Sequence, residues 1–135
     1  MKYIKKFEMN TLQRTQDLQD KELAGLKFTG IISEIFKNKY NIKTKSIEES
    51  TPFEVIKAYS LRYAGNIICK FFITKKFIEI VFYNTQKSDF DNFIEQFFNF
   101  KDLTYKHKYS SELNNYSDKI KDEFDLFMNS KKYNL

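Results

Sequence analysis

The sequence predicts an α+β domain: an antiparallel sheet of three to five strands built on a hairpin over 67–83, with helices packed against it. Three observations predict it. The stretch IICKFFITKKFIEIVFY holds two β-branched and aromatic runs, 67–73 and 77–83, around a polar three-residue break, Thr74-Lys75-Lys76, which is the pattern of a β-hairpin. Two other stretches place apolar residues at i, i+3, i+4, i+7 and i+8, first Phe28, Ile31, Ile32, Ile35 and Phe36, then Phe90, Phe93, Ile94, Phe97 and Phe98, and each is the stripe of an amphipathic helix. Finally, 135 residues are the length of one ordinary domain. At that size about two-thirds of the unfolded surface can be buried without disulfide or metal staples.

Taken in order, residues 1–8 alternate weakly through Tyr3, Ile4 and Phe7 and read as an edge strand or a frayed terminus. Residues 11–20 are polar and Gln-rich, with Leu12 and Leu18 as anchors, enough for an exposed helical turn or two. The domain is read as one unit, 1–135, with residues 1–20 its most loosely attached segment. A helix follows over 22–40, with Lys37 and Lys39 placed to complement the dipole at its C-terminus. Gly25 and Gly30 cost that helix up to about 1 kcal/mol each relative to Ala, which close packing would explain. Residues 41–50 are polar and charged and read as a loop.

Residues 52–64 support two readings. Thr51-Pro52-Phe53-Glu54 has the form of a capping box with Pro at the first helical position, which argues for a helix ending at Gly65. Against it, Val55, Tyr59, Leu61 and Tyr63 alternate with neighbours of the opposite face, and Ala64-Gly65-Asn66 would turn into the hairpin. The strand is preferred because a lone two-stranded hairpin is marginal and needs a third neighbour.

In the second hairpin run Ile78, Ile80 and Phe82 share one face and Phe77, Glu79, Val81 and Tyr83 the other, so both faces ask for cover. Ser88 is a suitable N-cap for the helix that follows, with Asp89 and Asp91 in its first turn. Residues 103–109, LTYKHKY, alternate as a short strand. Ser110 or Ser111 caps a last helix carrying Leu113, Tyr116, Ile120, Phe124, Phe127 and Met128, with Lys131 and Lys132 at its end.

The single cysteine, Cys69, has no intrachain partner and reads as a small buried hydrophobe, so nothing calls for an oxidising compartment. The amino terminus lacks the apolar core of a signal peptide, no stretch is long enough to span a bilayer, and a cytoplasmic setting is the expectation. The three isolated glycines make no phosphate loop, and one His with one Cys makes no usual zinc site, so no cofactor or metal is expected. The carboxylates of Asp89 and Asp91 and of Asp122, Glu123 and Asp125 read as solvated helix faces.

The formal charge of +5 points toward acidic partners, although a chain rich in Lys, Asn, Ile, Phe and Tyr is also what AT-rich coding produces. Lys37, Lys39, Lys43 and Lys45 form one basic stretch, whereas Lys57, Arg62, Lys70, Lys75 and Lys76 mark the sheet. Arg62, Lys70, Lys75, Lys76, Tyr83 and His107, with Tyr63 and Phe72, are therefore the candidate nucleic-acid-binding residues, since cations track phosphates and rings stack on bases. His107 stands between Lys106 and Lys108, which lowers the pKa expected for it and makes it the candidate base.

Over residues 1–83 the order strand, helices and three-strand meander, with YSLRYAGNIICKFF followed by FIEIVFY, resembles the layout of RelE/HigB-type ribosome-dependent ribonuclease toxins. The resemblance implies that Arg62 and Lys70 contact phosphate and that Tyr83 or His107 transfers a proton. It covers about three-fifths of the chain and leaves out everything after Tyr83. The leading expectation is different: a small non-enzymatic protein acting through protein–protein contacts, in the manner of a stoichiometric inhibitor or immunity protein of a microbe or its virus. Abundant Tyr and Phe suit such contacts.

Overall fold

A computed structural model describes residues 2–98, 104–107 and 109–133. The chain runs α1 (Lys2–Tyr40), β1 (Lys45–Glu49), β2 (Lys57–Tyr63), β3 (Asn66–Ile73), β4 (Ile78–Phe82), α2 (Ser88–Phe98), β5 (Thr104–His107) and α3 (Ser110–Tyr133). The strands form one antiparallel meander in the order β1-β2-β3-β4-β5, so every strand pairs with its neighbour in sequence. Fold class and the central hairpin match the sequence reading.

Four expectations are corrected. Residues 1–8 are not an edge strand, and the helical turn or two expected over 11–20 belongs to one long helix: α1 is continuous for 39 residues, about 58 Å at 1.5 Å per residue. Thr15, Gln16 and Asp17 are exposed and Leu18 is partly buried against the core, so polar composition there reflects solvent exposure. Residues 45–49, expected in a loop, form edge strand β1. Having only one neighbour and a largely exposed surface, it needs no apolar alternation. The hairpin break is four residues, since Phe77 precedes the first β4 residue. Helices cover one face of the sheet, not both.

The preferred strand over 52–64 is present from Lys57 onward, and the competing helix is not. Instead, Val55 N–H donates to the Pro52 carbonyl at 3.2 Å, closing a turn in which Glu54 has φ 77°. Ile56 N–H then donates to Ile73 O at 2.8 Å and the ladder begins. Leu103 and Lys108 of the predicted last strand lie outside the described residues.

Register explains which face is covered. Lys57↔Ile73, Tyr59↔Phe71 and Leu61↔Cys69 on β2–β3, with Cys69↔Phe82, Phe71↔Ile80 and Ile73↔Ile78 on β3–β4, make one row of side chains. The helices lie on that row. Phe28 of α1 meets Phe82 edge-on at 5.9 Å between centroids, and Phe90 of α2 meets Phe36 at 4.7 Å and Phe124 of α3 at 5.7 Å. These rings are buried. Each is worth about 1.5–3 kcal/mol by transfer from water, so a Phe-rich core holds three helices to the sheet.

Helix ends follow their sequence. Asn41 takes the left-handed conformation at φ 55°, which turns the chain out of α1, and Ile42 N–H reaches back to the Phe36 carbonyl at 3.2 Å. The α1 and α3 helices run alongside each other and are tied by Lys27–Asp118 at 2.6 Å and Lys39–Asp125 at 3.5 Å. Asp125, read as part of a solvated face, therefore faces a basic residue of α1. No helix among the described residues is long and apolar enough to cross a membrane.

Candidate functional site

The six candidate residues do not come together. They fall in four places: the open face of the sheet, the β3–β4 turn, the opposite end of the sheet and β5.

Arg62 and Lys70 lie on the face away from the helices, where Ser60↔Lys70 pair across β2–β3 and Glu49↔Ala58 pair across β1–β2. Glu49 collects them. Lys70 Nζ stands 2.9 Å from Glu49 Oε2, Arg62 Nη2 is bonded to Oε1, and the Ser60 hydroxyl donates to Oε1 at 2.9 Å while accepting from Arg62 Nε at 3.1 Å. Lys70 foremost, then Arg62 and Ser60, hold the Glu49 carboxyl down to about 2. The two cations that the resemblance would use for phosphate thus share one carboxylate, Glu49, which offsets half of their charge. A ligand there competes with Glu49 for them. That resemblance also expects a first strand, and α1 stands in its place.

Lys75 and Lys76 occupy the β3–β4 turn at one end of the sheet. Thr74 organises the turn: its N–H donates to Phe77 O at 3.0 Å, and its hydroxyl accepts from Lys76 N–H at 3.2 Å and Phe77 N–H at 3.0 Å. Both lysine side chains are exposed, and among the described residues no carboxylate lies within ion-pair distance of either. A cavity of about 600 Å³ beside the turn is lined by Phe53, Glu54, Thr74, Lys75, Lys76 and Phe77. Phe53 is 95% exposed, the most solvent-facing of the large apolar side chains described.

Tyr83 sits at the opposite end, 37% exposed, in a concavity shared with Tyr63 and the Ala64-Gly65 turn. His107 lies in β5 opposite Ile78; its side-chain placement lies outside the described residues. No pairing of Tyr83 with His107 for proton transfer follows from their strands, because Tyr83 lies beyond the end of β4 that His107 does not pair with.

Other groups join elements of the fold or lie in its core. Glu22 of α1 accepts from the Tyr59 hydroxyl at 2.6 Å and pairs with Lys57 at 3.0 Å, joining helix to sheet. That bond lowers the Glu22 pKa and pushes Tyr59 up to about 12. Burial alone pushes the Cys69 thiol up to about 12, so it is no nucleophile at neutral pH. Among the described residues no three His, Cys, Asp or Glu side chains are grouped to hold a metal.

Several residues of these sites escaped the sequence reading. Glu49 carried no signal because its strand looks like a loop, and Phe53 was absorbed into the capping pattern. Lys21 was hidden in a polar stretch: it is 1% exposed, with its ammonium donating to Thr74 O at 3.1 Å and Lys75 O at 3.0 Å and paired with Asp17 at 2.9 Å.

The fold and its sites define an α+β domain with a basic, aromatic end. Comparison with known proteins finds no counterpart: no family model, no curated protein and no solved structure matches the chain.

Proposed function

We propose that this is a non-enzymatic binding protein that acts through protein–protein contacts, with Phe53 as its anchor and the β3–β4 turn as its rim. The observation that carries the reading is the turn at 52–55. A non-glycine residue at φ 77° is strained by about 1–3 kcal/mol, and here that strain accompanies a phenylalanine held almost wholly in water. Exposed aromatic anchors ringed by charge are the usual energetic centres of interfaces. Lys75 and Lys76 beside it favour a partner whose contact surface is an apolar pocket with an acidic border. Inhibition of that partner, in the manner of an immunity protein, is the mode of action proposed.

The test is a photocrosslinker at position 53, irradiated in lysate of the host organism, with the same crosslinker at Leu126 on α3, which is 62% exposed, as the control. A single protein adduct from position 53 and none from position 126 is expected. The same adducts from both positions, or none from 53, would sink the reading.

A second reading, nucleic-acid binding or RelE/HigB-like RNA cleavage, draws support from Lys75 and Lys76 standing without a carboxylate. It predicts affinity falling steeply with salt. It also predicts RNA cleavage that Arg62→Ala and Lys70→Ala abolish while the fold survives.

A further inference from the structure

At the far end of the sheet from Phe53, the β2–β3 turn and the segment leading from β4 into α2 border a cavity of about 350 Å³, with Tyr63, Asn66, Tyr83, Asn84 and Gln86 in its wall. We infer that it is a site for one neutral sugar unit, with side-chain amides on the hydroxyl groups and the Tyr83 ring against the carbon face. The inference goes beyond protein contact through Phe53 and does not depend on it.

The wall carries no charged side chain. In a chain where 30% of residues are charged, that sets this cavity apart and argues against an anion or a cation as its ligand. Lys87, just beyond it in sequence, has its ammonium 5.1 Å from the centroid of the Tyr40 ring. What the wall offers is hydrogen bonding of both kinds. Each side-chain amide has a carbonyl acceptor and two N–H donors, and each phenol both donates and accepts. The Asn84 carbonyl accepts from the Gln86 N–H at 2.9 Å, which fixes the segment and leaves the Asn84 NH2 group to a ligand. Among the described residues the side chains of Tyr63, Asn66, Tyr83 and Gln86 have no hydrogen-bond partner. Asn66, Asn84 and Gln86 are exposed, so water satisfies them until a ligand takes its place.

A sugar is the neutral ligand that uses both parts of this wall. Its hydroxyls donate and accept, which suits amides, and its ring C–H bonds present an apolar face, which suits an aromatic ring. Tyr63 is packed against the core and makes the fixed side of the cavity. Tyr83 is exposed, with no ring contact among the described residues, and offers the platform. The volume stands at the low end of the roughly 300–1,000 Å³ of small-molecule sites, which suits a single sugar ring. A peptide backbone also donates and accepts, and it is the competing ligand in the test. Exposed groups of this kind exchange water for ligand, so the affinity expected is millimolar.

The full chain is titrated with the methyl glycosides of glucose, galactose, mannose and N-acetylglucosamine, each to about 50 mM, and with acetyl-trialanine amide, following backbone amide shifts. At least one glycoside is expected to move the amides of 65–68 and 83–86. Its affinity should be the same at low salt and at about 0.5 M salt, because no charge takes part. Tyr83→Leu should weaken it about three- to tenfold, and Tyr83→Phe less, since the ring remains. Asn66→Ala should weaken it about fivefold, the scale of a lost hydrogen bond. Thermal midpoints should stay put, because both side chains are exposed. Four glycosides that leave these amides unmoved, a peptide that moves them as strongly as the tightest glycoside, a salt-sensitive affinity, or binding that survives both Tyr83→Leu and Asn66→Ala would overturn the site.

Discussion

Two glycines in α1 make opposite predictions from the same substitution. A Cβ added at Gly25 would lie 2.5, 2.6 and 2.7 Å from three atoms of the Phe71 ring, whereas at Gly30 nothing lies within 4 Å. Carbon atoms pack comfortably at about 3.5–4.0 Å, so Gly25→Ala requires a displacement of roughly 1 Å. The ring has little room to give. Phe71 is fully buried, stacked on Tyr59 at 5.0 Å between centroids, and the Tyr59 hydroxyl is bonded to Glu22 on the same helix. Moving the ring therefore strains the helix–sheet joint from both sides. Overpacking of this kind costs about 1–3 kcal/mol, offset by up to about 1 kcal/mol of better helix propensity. Gly30→Ala receives the propensity gain alone. Since that gain is common to both, the difference between the variants isolates the steric cost, and it should be about 1–3 kcal/mol in favour of Gly30→Ala. Urea denaturation with matched m-values measures it. A Gly25→Ala protein as stable as Gly30→Ala would refute the close approach of α1 to β3.

Other consequences are equally direct. Ala64 has φ 47° and Gly65 φ 80°, the twist of a two-residue hairpin turn that asks for left-handed residues, so Ala64→Asn should raise stability by about 0.5–1 kcal/mol in the same denaturation assay. Glu49 is held near 2 in the folded chain against an ordinary 4.5, so its contribution is whole above pH 4.5 and is lost as pH falls toward 2. Glu49→Gln should therefore flatten the stability profile between those two values, while costing stability at neutral pH by leaving Arg62 and Lys70 facing each other. Cys69 should resist thiol reagents in the native protein and react fully in denaturant. Rapid native labelling would contradict its complete burial.

How legible the fold was depended on how much each element buries. The hairpin, α2 and α3 were plain because their apolar residues repeat at 2 or 3.6, and Phe90, Phe93, Ile94 and Phe98 are buried as the stripe requires. β1 was not, because an edge strand gains its order from one ladder and from Glu49, whose partners Arg62 and Lys70 stand far along the chain. The continuity of α1 through its first twenty residues was missed for a related reason: polar Thr15, Gln16 and Asp17 interrupt any apolar stripe that periodicity could follow. The basic and aromatic residues of the sheet could be named from the sequence but not sorted into surfaces. Which of them share a surface depends on register and on ends of strands, and composition carries neither. Register puts Arg62 and Lys70 against an acid, while the turn geometry puts Lys75 and Lys76 beside Phe53 and Phe77.

The central claim is that the turn end, and not the middle of the sheet, makes the functional contact with a protein. Its most direct test is capture by the tagged chain from lysate of its own host at about 0.3 M salt, where exposed charge attraction is heavily screened. Wild type and Phe53→Ser serve as parallel baits, and each eluate is divided for protein mass spectrometry and nucleic-acid sequencing. The account predicts one enriched protein at near-equal stoichiometry with the wild type, lost with Phe53→Ser. Recovery of RNA or ribosomes instead, or a partner retained equally by Phe53→Ser, would contradict it.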